Sequence, residues 1–176
     1  MTRPNPISNE DVERMLENLK TERDRVMLVL GCRTGFRISE LLSLRVTDVI
    51  QHGKVRNQVT VERRNTKCPA ESRTVVLHSQ AKKYLERYAK GKPLNEKLFP
   101  ITRQHAHRVV KIAASEAKVE GNVSCGSMRK AFAKKVYLSL GKDLINTQRA
   151  LGHKCISSTA HYLHFDQNEV DDAILE

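Results

Sequence analysis

The sequence predicts an α+β domain that is mostly α-helical and carries one small antiparallel β-hairpin. Three observations predict it. Apolar residues recur at steps of three and four over most of the chain, the spacing of amphipathic helices. Two short stretches, Gln58–Glu62 and Arg73–His78, instead alternate and are rich in Val and Thr, as strands are. And 176 residues with 39% hydrophobic side chains supply one core rather than several. The expected organisation is one domain over 1–165 followed by an acidic tail over 166–176.

The elements follow in order. Ser8 with Asp11 opens a first helix, which sets Val12, Met15, Leu16 and Leu19 on one face. A second helix runs through the apolar stretch Val26–Leu30 and breaks at Thr34-Gly35, and Ile38, Leu41 and Leu42 begin a third. The two alternating stretches form a hairpin whose tip, Arg63 to Ala70, is long and densely basic. Long loops of this kind tend to be functional. Helices are expected over 79–91, over 103–119 behind a Thr102 cap, and over 127–140. Shorter ones are expected over 143–151 and 156–164, and an amphipathic segment over Asn168–Leu175.

Charge narrows the function. Lys and Arg number 31 against 20 Asp and Glu, a net +11. The excess is concentrated: +2 over 1–60, +13 over 61–150 and −4 over 151–176. A basic middle of this kind expects double-stranded DNA or another polyanion, with Arg63, Arg64, Arg73, Lys130 and Lys134 as candidate contacts. With 5% aromatics and no Trp, a platform for stacking single-stranded bases is poorly supplied. The longest apolar run, Val26 to Cys32, is far short of a membrane span, and no apolar leader opens the chain, so the expectation is a cytoplasmic protein, nucleoid-associated when bound to DNA. Cys32, Cys68, Cys125 and Cys155 are widely spaced, without a CxxC pair, and read as free thiols; no metal or other cofactor is expected.

Five segments carry the chemistry: Thr34-Gly35-Phe36-Arg37-Ile38-Ser39-Glu40, Lys67 in the hairpin tip, Ser127-Met128-Arg129-Lys130, Leu151-Gly152-His153, and Thr159-Ala160-His161-Tyr162. Each alone is weak, since Arg-x-x-Glu on a helix is usually an ion pair and a lone Tyr is usually structural. In this order and spacing they resemble the tyrosine recombinase (phage integrase) family. The resemblance covers essentially the whole chain and matches the catalytic domain, without the N-terminal DNA-clamping domain of larger members. It implies that fold, with Arg37 and Arg129 as the catalytic arginines, Lys67 as the mobile hairpin lysine, His153 as the histidine of the LGH motif, Tyr162 as the nucleophile and Glu40 in support.

The chemistry suits these residue types. Two guanidiniums can hold both non-bridging oxygens of a phosphodiester and neutralise the charge that develops on attack. A phenol conserves the bond as a phosphotyrosine ester, so rejoining needs no ATP. A lysine can protonate the leaving 5′-oxygen, and a histidine can bond a phosphate oxygen or help move protons. The resemblance further implies integration, excision or inversion of mobile DNA by four protomers on two duplexes, with the free protein a monomer.

One position departs from the family. Its second arginine belongs to H-x-x-R, and the histidine position here is Gly126. Glycine supplies no base and is expected to leave an open place, with Ser127, Cys125, His161 or a water as substitutes. A DNA-binding accessory or regulatory protein with a decayed site is therefore the alternative function, and a nicking-closing enzyme of the type IB topoisomerase kind is a third. His161 and His164, near His153 and Cys155, allow a zinc site as the bland alternative for that segment.

Overall fold

The computed structural model describes residues 4–61 and 72–163. The hairpin tip with Arg63, Arg64 and Lys67, and the acidic tail, lie outside the described residues. The chain divides into two compact units, Met1–Phe132 and Ala133–Glu176, with the division inside one helix.

In the first unit, α1 (Asn9–Asn18) starts where expected. Ser8 Oγ accepts from the Asp11 amide, and the Asp11 carboxylate accepts from the Ser8 amide, which satisfies two of the donors a helix start leaves open. Burial alone would raise the Asp11 pKa, but the Ser8 and Arg14 hydrogen bonds hold it below the usual carboxylate value. α2 (Glu22–Thr34) is apolar all round from Val26 to Leu30 and is the central helix, in contact with α1, with α3 (Ile38–Ser43) and with α5 (Ser79–Ala89). Its interior Gly31 has a reason: a Cβ there would lie 2.6 Å from Met128 Sδ. α2 ends at Gly35, whose φ of 61° puts it in the left-handed region.

Three short elements escape sequence reasoning. α4 (Val46–Val49) is one turn long, and β1 (Ile50–Gln51) pairs with β2 (Lys54–Val55) across a His52-Gly53 turn in which both residues have positive φ. The expected hairpin is present as β3 (Gln58–Val61) and β4 (Arg73–Val76), antiparallel, with Val59 opposite Val75 and Val61 opposite Arg73. α6 (Arg103–Glu116) is capped by Thr102 as expected. α7 (Cys125–Ser139) begins two residues earlier than its periodicity suggests, because Ser124 Oγ accepts from the Gly126 amide and Ser127 Oγ from the Ser124 amide.

In the second unit, α8 (Leu144–Leu151) and α9 (Ile156–Leu163) pack together. Asp143 caps α8 through the Asn146 amide. The helix ends in a Schellman turn: Gly152, at φ 61°, donates to the Arg149 carbonyl and His153 to that of Gln148. That is the local reason for Leu-Gly-His.

Candidate active site

The first unit gathers two of the predicted arginines around one carboxylate. Glu40 is 7% exposed. Its Oε1 accepts from Arg37 Nη1 at 2.9 Å and its Oε2 from the Arg37 amide at 2.6 Å. Arg129 is 2% exposed, and its Nη1 lies 3.9 Å from Glu40 Oε2, an ion pair rather than a hydrogen bond. Arg37 keeps 44% of its side chain exposed. One guanidinium is therefore fixed in the interior and the other reaches solvent from a shared anchor.

A helix end completes the frame. The last carbonyls of α2 have no intrahelical donor and stand at the negative end of the helix dipole. Two guanidiniums answer them. Arg129 Nη1 donates to the Gly35 carbonyl at 2.5 Å. Arg73 Nη2 donates to the Thr34 carbonyl at 2.7 Å and its Nη1 to the Gly35 carbonyl at 3.3 Å. The Arg73 guanidinium also stands 5.3 Å from the Phe36 ring centre and 5.8 Å from that of Phe132. Gly35 is required twice over, since a Cβ there would lie 2.3 Å from the Phe132 ring in addition to its positive φ.

These contacts revise two expectations. Arg73 is not a surface cation available to DNA: it is buried, and its charge serves the backbone that carries Arg37. Lys130 is likewise buried, at 6% exposure. Of the candidate DNA contacts among the described residues, Lys134 alone is exposed. On α6, whose basic character the sequence shows around His105 and His107, Arg103, Gln104, Arg108 and Lys111 are exposed and His105 lies between Arg23 and Arg108. Burial first, and then the Arg103 charge, hold the His107 pKa below the ordinary imidazole value.

The second unit brings His153 and Tyr162 together. Their rings meet edge to face with centroids 5.2 Å apart. His153 Nδ1 is 2.9 Å from the Oγ1 of buried Thr159, one turn before Tyr162 on α9, so one short helix both carries the phenol and orients the imidazole. Gln148 Nε2 bonds the carbonyls of His153 and Lys154 and ties down the loop between α8 and α9. Gln148 was not singled out from the sequence, and Thr159, though it opens the segment that holds Tyr162, was given no role; the i,i+3 spacing of Thr159 and Tyr162 was the available signal.

Around Gly126, two of the proposed substitutes for a histidine, Cys125 and Ser127, are buried, and the His161 side chain lies outside the described ones. The Cys125 thiol is buried, and its pKa is pushed up to about 12, so it holds its proton more tightly than a phenol near 10. Ser127 is fully buried, and its Oγ accepts from the Ser124 amide as part of the helix cap. Nor is the glycine's place open. A Cβ built on Gly126 would lie 3.1 Å from Pro4 Cγ.

Known proteins agree with this architecture. The crystal structure of XerA recombinase superposes with a TM-score of 0.77 at 21% identity, over 98% of this chain and 65% of that one. The fold is that of tyrosine recombinase catalytic domains. A family model described as the phage integrase family matches residues 6–169, and the chain belongs to that family. Relatives include tyrosine recombinase XerA of Saccharolobus solfataricus, 30% identical over 94% of this chain and 54% of the relative. Tyrosine recombinase XerD of Oceanobacillus iheyensis is 32% identical over 96% of this chain and 60% of the relative. The chain thus spans little more than half the length of these two relatives. Among the described residues no helix is long and apolar enough to cross a membrane.

Proposed function

We propose that this chain is the catalytic domain of a site-specific DNA recombinase that cleaves one strand by attack of Tyr162 on a phosphodiester. The 3′-phosphotyrosine link then passes to the 5′-hydroxyl of another strand. The observation that carries the reading is the pair of arginines on one buried carboxylate. An interior guanidinium costs desolvation even when paired, and holding it preorganised beside a second, half-exposed one on the same carboxylate is what a developing phosphorane charge rewards. Arg37 and Arg129 bind the non-bridging oxygens, His153 bonds a phosphate oxygen from its Thr159-fixed ring, and Lys67 protonates the leaving oxygen. The exposed cations of α6, with Lys134, Arg63 and Arg64, track the DNA backbone. Four protomers on two duplexes form the active assembly, with the acidic tail packing in cis or in trans.

The test is covalent trapping on a nicked suicide duplex, in which the released fragment cannot return. An adduct that disappears in Tyr162→Phe supports the reading. A protein that binds duplex DNA yet never forms an adduct supports the second one, a DNA-binding accessory protein, which Gly126 favours.

A further inference from the structure

We infer that Pro4 closes the place of the side chain missing from Gly126, so that an N-terminal strap, rather than an empty pocket, stands where the family's histidine would be. For its catalytic consequence this rests on the recombinase reading; the packing itself does not.

Residues 4–7 carry no regular secondary structure and lie beside the loop that leads into α7. The Asn5 amide donates to the Asn122 carbonyl at 2.8 Å. A Cβ on Gly121 would lie 2.2 Å from Asn5 Nδ2, and one on Gly126 would lie 3.1 Å from Pro4 Cγ and 3.8 Å from Pro4 Cβ. Two bare glycines, five residues apart, thus form the seat in which two successive strap residues lie. The strap is short and stiff. Ile7 is buried in the core and Ser8 caps α1, so Pro4 lies three positions from a fixed point, a reach of about 10 Å at most. Pro4 and Pro6 fix their own φ, and Pro6 keeps Asn5 extended, so little entropy is lost in holding this path.

The same loop ends in the Ser124–Ser127 cap of α7, and Arg129 lies in the first turns of that helix. Pro4 is therefore a positioning residue that seals the base position next to the cap, and it has no proton to give or take. A Cβ placed at 126 already crowds the proline, which must give by a few tenths of an ångström to admit any side chain there.

The packing is tested by a melting cycle of Gly126→Ala, Pro4→Gly and the double variant. Gly→Ala is favourable by roughly 0.5–1 kcal/mol inside a helix and by less in the first turn, where position 126 lies, so the gain is at most about 1–4 °C for a chain of this size. That gain should appear in the Pro4→Gly background and vanish or reverse when Pro4 is present. Equal shifts in both backgrounds overturn the contact. The catalytic consequence is tested by adding imidazole to the trapping reaction. The parent should not respond, whereas Pro4→Gly should accelerate at least tenfold, toward the lower end of the 10²–10⁴ range of a positioned acid–base group. An equal response of the two chains, accelerated or not, overturns Pro4 as what closes the base position. A parent never trapped on DNA sinks the recombinase reading instead, and the melting cycle still judges the strap.

Discussion

Arg129 and Tyr162 stand in different kinds of surroundings. Arg129 is almost fully buried, bonded to the Gly35 carbonyl and paired with Glu40, and Arg73 secures the same helix end from the next strand. Tyr162 sits half-buried on an eight-residue helix whose first residues, Ile156 to Ser158, are exposed, and its ring partner His153 is steered by Thr159. The arginine region is set into the core of its unit, where low dielectric strengthens each hydrogen bond and makes any unpaired group costly. The contacts described around Tyr162 include the turn that ends α8, the Gln148 bonds to the loop, the Thr159 hydroxyl on His153 and an edge-on ring contact. On the proposed function, charge that must be preorganised is placed where displacement is expensive, and the phenol proposed as nucleophile is carried on a short helix at a half-exposed position.

The contrast predicts different outcomes on the two sides. Tyr162→Phe should abolish the DNA adduct completely while melting temperature and DNA affinity stay unchanged; a residual adduct would assign the nucleophile elsewhere. Arg129→Ala should damage both properties. Loss of a preorganised donor costs about 3–4 kcal/mol in the transition state, and breaking a buried pair costs about 3–5 kcal/mol of stability. Melting should show the second loss directly. Arg37→Ala should cost comparable cleavage rate but less than about 1 kcal/mol of stability, because its guanidinium is nearly half exposed and the backbone amide still bonds Glu40. Equal melting losses for the two arginine variants would erase the distinction between buried and exposed anchors.

Thr159 gives the next smaller effect. Thr159→Val keeps shape and removes the hydroxyl at His153 Nδ1. A hydrogen bond of about 0.5–1.5 kcal/mol predicts a cleavage rate reduced by up to about tenfold, and Thr159→Ser should restore most of it. Failure of the serine to rescue would mean that the threonine acts through packing alone.

How much of this was legible in the sequence depends on range. The first unit's arginine anchor is written locally, as Arg37 and Glu40 three apart behind a helix-stopping glycine, and Gly152-His153 is a turn with its own chemistry. Both therefore stand out in the residue order itself. Arg73 was misread because a positive charge was weighed above strand alternation, although pairing Val61 with Arg73 and Val59 with Val75 places that arginine on the face of the buried valines. The one-turn α4 and the two-residue strands β1 and β2 are too short to show a period, and a histidine at φ 49° is an uncommon turn residue. The contact between Pro4 and Gly126 spans more than a hundred positions and leaves no local pattern. An absent side chain was read as an absent occupant, and packing supplied the occupant from elsewhere.

The smallest effect separates two lysines one turn apart on α7. Lys134 is exposed and Lys130 is buried, though a charge count treats them alike. If Lys134 meets a phosphate, Lys134→Ala should reduce the slope of log affinity against log salt by about 0.9, with melting unchanged. Lys130→Ala should do the reverse, lowering the melting temperature and leaving the slope alone, because a side chain withdrawn from solvent releases no counterion. Both slopes and both melting curves come from one pair of variants. A slope change at Lys130 would mean that α7 turns a different face to DNA than its burial implies, and no change at Lys134 would move the phosphate-tracking surface to α6.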